Sequence, residues 1–117
     1  MRNILVVGAG KSSSSLIAYL LNKSFSEGLH ITVADFSLEL AKSKILNHSN
    51  GSALALDIFN DIERSKAIKN ASIVISMLPA HLHINIAKDC LKYGKNMVTA
   101  SYVSKEMMAL DKEVTKK

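Results

Sequence analysis

The chain has 117 residues, of which 48% are hydrophobic and 21% charged, a balance that excludes a disordered, fibrous or disulfide-stapled protein and fits one globular domain. That length leaves no room for a cofactor domain, a substrate domain and a dimerisation domain together, so residues 1–117 are expected to be one domain of a longer protein. The net charge of +5 would suit a polyanion if its cations clustered, but Lys42/Lys44, Lys66/Lys69 and Lys92/Lys95 are spread along the chain, so neither a nucleic-acid nor a membrane partner is expected.

Ile4-Leu5-Val6-Val7 is a continuous apolar run closed by Gly8, which reads as a strand buried on both faces of a parallel sheet. Its polar start, Met1-Arg2-Asn3, carries neither a secretory signal nor a spanning helix. A first helix is expected over residues 12–22, with Leu16, Ile17, Leu20 and Leu21 at helical spacing and serine hydroxyls to cap it. Gly28 breaks that pattern. A second strand follows over residues 30–34, ending at Asp35. Ser37 can cap a second helix that holds Leu38, Leu40, Ala41 and Ile45, with Asn50-Gly51 as its exit turn.

Residues 52–56 predict a weak third strand, and residues 60–69 a helix that holds Ile62, Ala67 and Ile68. The strong apolar run at 71–77 predicts a fourth strand, stopped by Pro79. A helix over residues 81–92 places Ile84, Ala87, Cys90 and Leu91 on one side, and Gly94 terminates it. Residues 96–100 make a fifth strand, and Ser104 can cap a last helix through Met107, Met108, Leu110 and Val114. Alternation at this spacing implies a Rossmann-type, doubly wound parallel sheet in three α/β/α layers, because each crossover must lay a helix back on the sheet.

Gly8-Ala9-Gly10 lies where the first strand turns into the first helix. There Gly8 permits the turn, Gly10 lets a pyrophosphate approach the backbone, and the helix N-terminus offers N–H donors and a positive dipole. Ser13 replaces the third glycine of the GxGxxG pattern; its hydroxyl is a candidate phosphate donor, and Lys11 and Ser12 join the cofactor-binding set. Asp35, 25 residues after Gly10, can accept both hydroxyls of an adenosine ribose and would repel a 2′-phosphate. No arginine follows it in Phe36-Ser37-Leu38, so NAD is expected as cofactor, with NADP as the other choice. Asp57 can frame an adenine pocket, and Leu78 and Pro79 end the fourth strand beside the nicotinamide path. An ordinary turn or capping role explains Asp35 and Asp57 as well.

His81 and His83, two apart, make a poor metal pair, so no metal is expected. Cys90 is the only cysteine; it reads as a small core hydrophobe, and its solitude fits a cytoplasmic protein.

Residues 76–81 (SMLPAH), 96–104 (NMVTASYVS) and 107–111 (MMALD) resemble the N-terminal NAD(P)-binding domain of the saccharopine dehydrogenase family, glutamate-forming type. The resemblance spans the whole chain, and the SYVS and MMxLD stretches are more specific than the glycines. It implies hydride transfer between nicotinamide and a secondary amine or imine carbon in lysine metabolism, with a small amino-acid-derived substrate and a homodimer of the full-length protein. By the same resemblance, Ser101 and Tyr102 lie at the substrate face, and no general base is named. The fragment alone is expected to bind cofactor rather than turn over substrate. Two other classes share part of the pattern: a non-catalytic NAD-sensing regulatory domain has the glycine turn and the acid but not SYVS with MMxLD, and a basic interaction domain needs no nucleotide.

Overall fold

The computed structural model describes residues 2–10, 13–78 and 82–99. Strands β1 (Arg2–Val7), β2 (Leu29–Asp35), β3 (Gly51–Ala55), β4 (Ile73–Ser76) and β5 (Asn96–Thr99) alternate with helices α1 (Ser14–Glu27), α2 (Leu38–Ile45), α3 (Asp61–Lys69) and α4 (His83–Lys92). Neighbouring strands pair in parallel in the order β3-β2-β1-β4-β5. This is the doubly wound arrangement expected from the alternation. The chain moves outward from β1 to β2 and β3, then returns to the other side of β1, which leaves a crevice at the carboxyl ends of the strands.

β1 is central because its run is apolar on both faces. Ile4 and Val6 pack with Ile17 and Leu21 of α1 and with Ala41 and Ile45 of α2. Leu5 and Val7 point the other way, into a second core with Leu56, Ile68, Ile86, Cys90 and Met97. Each fully buried side chain of this kind contributes about 1.5–3 kcal/mol relative to exposure, so the two layers of helices are held mainly by these contacts. Among the described residues no helix is long and apolar enough to cross a membrane.

Four expectations are corrected in detail. α1 continues past residue 22 to Glu27, because Ser24, buried, turns its hydroxyl to the Leu21 carbonyl (2.6 Å) and receives the Asn50 amide (3.2 Å). Among the described residues no serine side chain is seen to cap α1: its N-cap, Ser13, makes no such bond. The turn out of α2 is made by Leu46 and Asn47 in left-handed conformation (φ 53° and 60°), and Gly51 instead opens β3. Glycine is needed there, since a Cβ would meet Ile45 Cγ2 at 2.5 Å.

The inward faces of α3 and α4 also differ. Ile62 is 81% exposed, whereas Arg64 is buried; on α4, Ile86 and Cys90 are buried while Ile84 and Leu91 face outward. On α2, Ala41 and Ile45 are buried, and Leu38 and Leu40 are largely exposed. A helix of eight to ten residues has room for few inward positions, and small or late-turn residues take them. The expected last helix with Met107 and Met108 lies outside the described residues.

Candidate functional site

The turn after β1 is built around Gly8, whose φ of 104° no other residue adopts without strain and whose missing Cβ lets Met77 and Leu78 approach to 3.3 Å. Its N–H donates to the Ala34 carbonyl (2.7 Å), and Met77 N–H donates to the Val7 carbonyl (2.8 Å), so the ends of β2 and β4 converge on this turn. Gly10 differs: it is exposed, and a Cβ there would meet nothing described within 4 Å. The backbone at Gly10 is therefore open to an approaching group. Ser13 is fully buried, and its hydroxyl donates to the Gly10 carbonyl (2.7 Å). In this structure the Ser13 hydroxyl is engaged within the turn itself.

Asp35, half-buried at the end of β2, receives the Ala9 N–H on Oδ1 and the Ser37 N–H on Oδ2, both at 2.9 Å. A carboxylate has about four acceptor positions. Two backbone donors leave capacity for two more, so the geometry fits a pair of ribose hydroxyls while the same side chain braces the glycine turn. Ser37 in turn caps α2 by accepting from Leu40 N–H (3.2 Å), as its position suggested.

A crevice of about 360 Å³ opens beside Gly8 and Asp35. Its other lining residues are Val7, Phe36, Leu56, Asp57, Ile58, Phe59, Leu78 and Leu82. Among the described residues the lining holds two carboxylates, a mostly apolar wall and no Lys or Arg, which suits a flat, uncharged, hydroxyl-bearing group. Phe36 and Phe59 are 81% and 69% exposed, and large apolar side chains held at the mouth of a cleft are available for stacking on a planar ring.

The structure thus brings Gly8, Asp35, Asp57 and Leu78 together on one crevice, with Gly10 and Ser13 in the turn beside it. Asp57 lines the crevice, and its Oδ1 accepts the Phe59 N–H (3.0 Å) to form a turn before α3. Lys11, Ser12, Pro79, Ser101 and Tyr102 lie outside the described residues, as does His81. Sequence reasoning missed Phe36, Ile58, Phe59 and Leu82. The available signal was an apolar residue directly after a strand-ending acid, as in Asp35-Phe36 and Asp57-Ile58-Phe59.

Behind the Ile58–Phe59 wall lies a buried ion pair that no periodicity announced. Arg64 Nε donates to Asp89 Oδ2 (2.6 Å), Nη1 to the Ile58 carbonyl (2.6 Å) and Nη2 to Asp61 Oδ1 (2.8 Å). Burial works against the guanidinium charge, but the hydrogen bonds to Asp89 and Asp61 outweigh it and raise the Arg64 pKa above its ordinary value. Cys90, next to this pair, has its thiol pKa pushed up to about 12, by burial first and by the Asp89 charge second. It is a protonated core residue and a poor nucleophile. Among the described residues no three His, Cys, Asp or Glu side chains gather as a metal set.

Comparison with known proteins gives a consistent match. The model of the saccharopine dehydrogenase NADP-binding domain family matches residues 4–117. The saccharopine dehydrogenase (NADP+, L-glutamate-forming) of Schizosaccharomyces pombe is 31% identical over 99% of this chain, which spans 25% of that relative. The mitochondrial alpha-aminoadipic semialdehyde synthase of Bos taurus is 30% identical over 97% of the chain, which spans 12% of it. The solved apo structure of saccharopine dehydrogenase (L-Glu forming) from Saccharomyces cerevisiae superposes with a TM-score of 0.78 at 27% identity, over 94% of this chain and 24% of that one. The chain therefore spans about a quarter of the length of the fungal relatives it matches.

Proposed function

Because this chain belongs to the saccharopine dehydrogenase NADP-binding domain family, we propose that it is the pyridine-nucleotide-binding, N-terminal domain of a longer oxidoreductase acting on a secondary amine or imine. The substrate we assign is saccharopine or a close amino-acid-derived amine of lysine metabolism, and for the full-length enzyme we propose a homodimer. The carrying observation is the crevice at the strand ends, lined by Gly8 and by the half-free Asp35 carboxylate, which the Ala9 N–H ties to the glycine turn. When bound, the dinucleotide supplies the hydride chemistry.

The chain's own residues do the positioning. The turn from Gly8 to Ser13, with Lys11 and Ser12, takes the pyrophosphate against the N-terminus of α1. Asp35 accepts the adenosine ribose hydroxyls, Asp57, Phe36 and Phe59 frame the adenine, and Leu78 and Pro79 direct the nicotinamide. To Ser101 and Tyr102 we assign substrate binding, as the family resemblance implies. The cofactor is NAD rather than NADP, since the Asp35 charge opposes a 2′-phosphate and the described crevice lining holds no cation. On this point the chain departs from the NADP of its family's name. A lone, buried, protonated Cys90 suits the reducing cytoplasm, where we place the protein.

A thermal-shift titration with NADH, NADPH and ADP tests this reading. Stabilisation grows as RT ln(1 + [L]/Kd), about 2.7 kcal/mol at a hundredfold excess over Kd. NADH should shift the transition more than NADPH. Asp35→Ala should weaken NADH binding by about 1–3 kcal/mol while narrowing the NADH–NADPH difference. Equal shifts in the unaltered chain remove Asp35 as the ribose acceptor, and no shift with any of the three removes the dinucleotide.

A further inference from the structure

Arg64, which does not itself line the crevice, connects α3, the loop that carries Ile58 and helix α4. It sits on α3, bonds the carbonyl of the lining residue Ile58 and pairs with Asp89 of α4, the helix that begins directly after the lining residue Leu82. Ile58 also packs against the core shared with Ile86 and Cys90 of α4, but the loop's other side-chain hydrogen bonds are local: Asp57 accepts from Phe59 N–H, and Asn60 caps α3 through Ile62 and Glu63 N–H. Those bonds shape the loop but do not relate it to α4. Arg64 alone among these groups reaches both sides, and its planar fork makes the relation directional, which a lysine point charge cannot do.

We propose that Arg64 is a positioning residue for the adenosine side of the crevice, setting the gap between the Ile58–Phe59 wall and the Leu82 wall across which an adenine ring is gripped. This rests on the reading that the crevice takes the adenosine half of the dinucleotide. A slot for a planar ring tolerates little change in width, because contact energy falls off within an ångström of the optimum separation. Losing the Ile58 carbonyl bond lets that wall relax outward. The glycine turn and the nicotinamide side, which Arg64 does not touch, keep their geometry.

The test compares two half-ligands, ADP and nicotinamide mononucleotide, titrated by NMR into the 117-residue chain at a temperature where every variant is folded by circular dichroism. Arg64→Lys keeps the charge opposite Asp89 but cannot also hold the Ile58 carbonyl; ADP should bind about tenfold more weakly and the mononucleotide unchanged. Asp89→Asn keeps an acceptor for Nε and leaves the Ile58 bond intact, so ADP affinity should stay within about twofold although the protein is less stable. Should Arg64→Lys not fold, the neutral pair Arg64→Gln with Asp89→Asn replaces it, with the same result expected. An unaltered chain that takes no ADP overturns the adenosine reading itself. If it does bind ADP, the positioning role is overturned by an Arg64→Lys affinity equal to wild type, by parallel losses for both half-ligands, or by an equal loss in Asp89→Asn.

Discussion

The two faces of the sheet are covered by different chemistry. On the α1/α2 face, Ile17, Leu21, Ala41 and Ile45 close over Ile4, Val6, Ile31 and Val33, a contact made almost wholly of hydrocarbon. On the α3/α4 face, Ile68, Ile86 and Cys90 cover Leu5, Val7 and Val74, but at the margin of that core stands the buried Arg64–Asp89 pair. A purely apolar contact is non-directional and fixes how deeply a helix sits; a forked ion pair also fixes where it sits along and around its axis.

The largest effect should come from breaking the polar side alone. Arg64→Met leaves Asp89 buried without its cation and is expected to cost about 3–5 kcal/mol in urea unfolding, whereas Arg64→Met with Asp89→Leu should recover more than half of that. Full additivity of the two single changes would mean that the pair is not coupled and the contrast between faces is only apparent. On the apolar side, Ile17→Ala removes a side chain with no exposure and is expected to cost about 2–5 kcal/mol by the same measurement. The contrast sharpens with Ile62→Ala on α3, which should change stability by no more than about 0.5 kcal/mol because that isoleucine is 81% exposed. A large loss there would restore Ile62 to the core.

The smallest effect concerns Cys90. Its folded thiol, pushed to about 12 from an ordinary 9.0, stays protonated while that of the unfolded chain ionises. Its contribution is fully present below pH 9 and is lost as pH rises toward 12, so Cys90→Ala should flatten the stability curve in that window and change little near neutrality. Iodoacetamide labelling at pH 8 should track unfolding of the chain.

The sheet was legible because its strands are continuous apolar runs, and the topology followed from their alternation with helices. Gly8, Asp35, Asp57 and Leu78 were legible because ligands of such sheets meet the carboxyl ends of strands, which are easy to find in a sequence. The inward face of α3 was not legible: Ile62 is exposed, and Arg64 is held inward by Asp89, which is 25 residues away, and by a backbone carbonyl that leaves no trace in side-chain patterning. Phe36 and Phe59 were missed for a related reason: loop aromatics obey no period, and their value depends on two loops meeting in space. The double duty of Asp35, which braces Ala9 N–H and Ser37 N–H, was likewise hidden, since backbone partners carry no residue signature.

The parallel pairing of β1 with β4 has a consequence for biosynthesis. Val7 meets Ser76 in register, so a nascent chain must grow by roughly 70 residues, several seconds at about 5–20 residues per second, before the most apolar strand gains its second neighbour. During that interval Ile4 to Val7 emerges from the ribosome with one edge uncovered. Chaperone engagement should therefore peak before residue 76 is exposed and decline after it, and slowing translation through the α3 codons should prolong that vulnerable period.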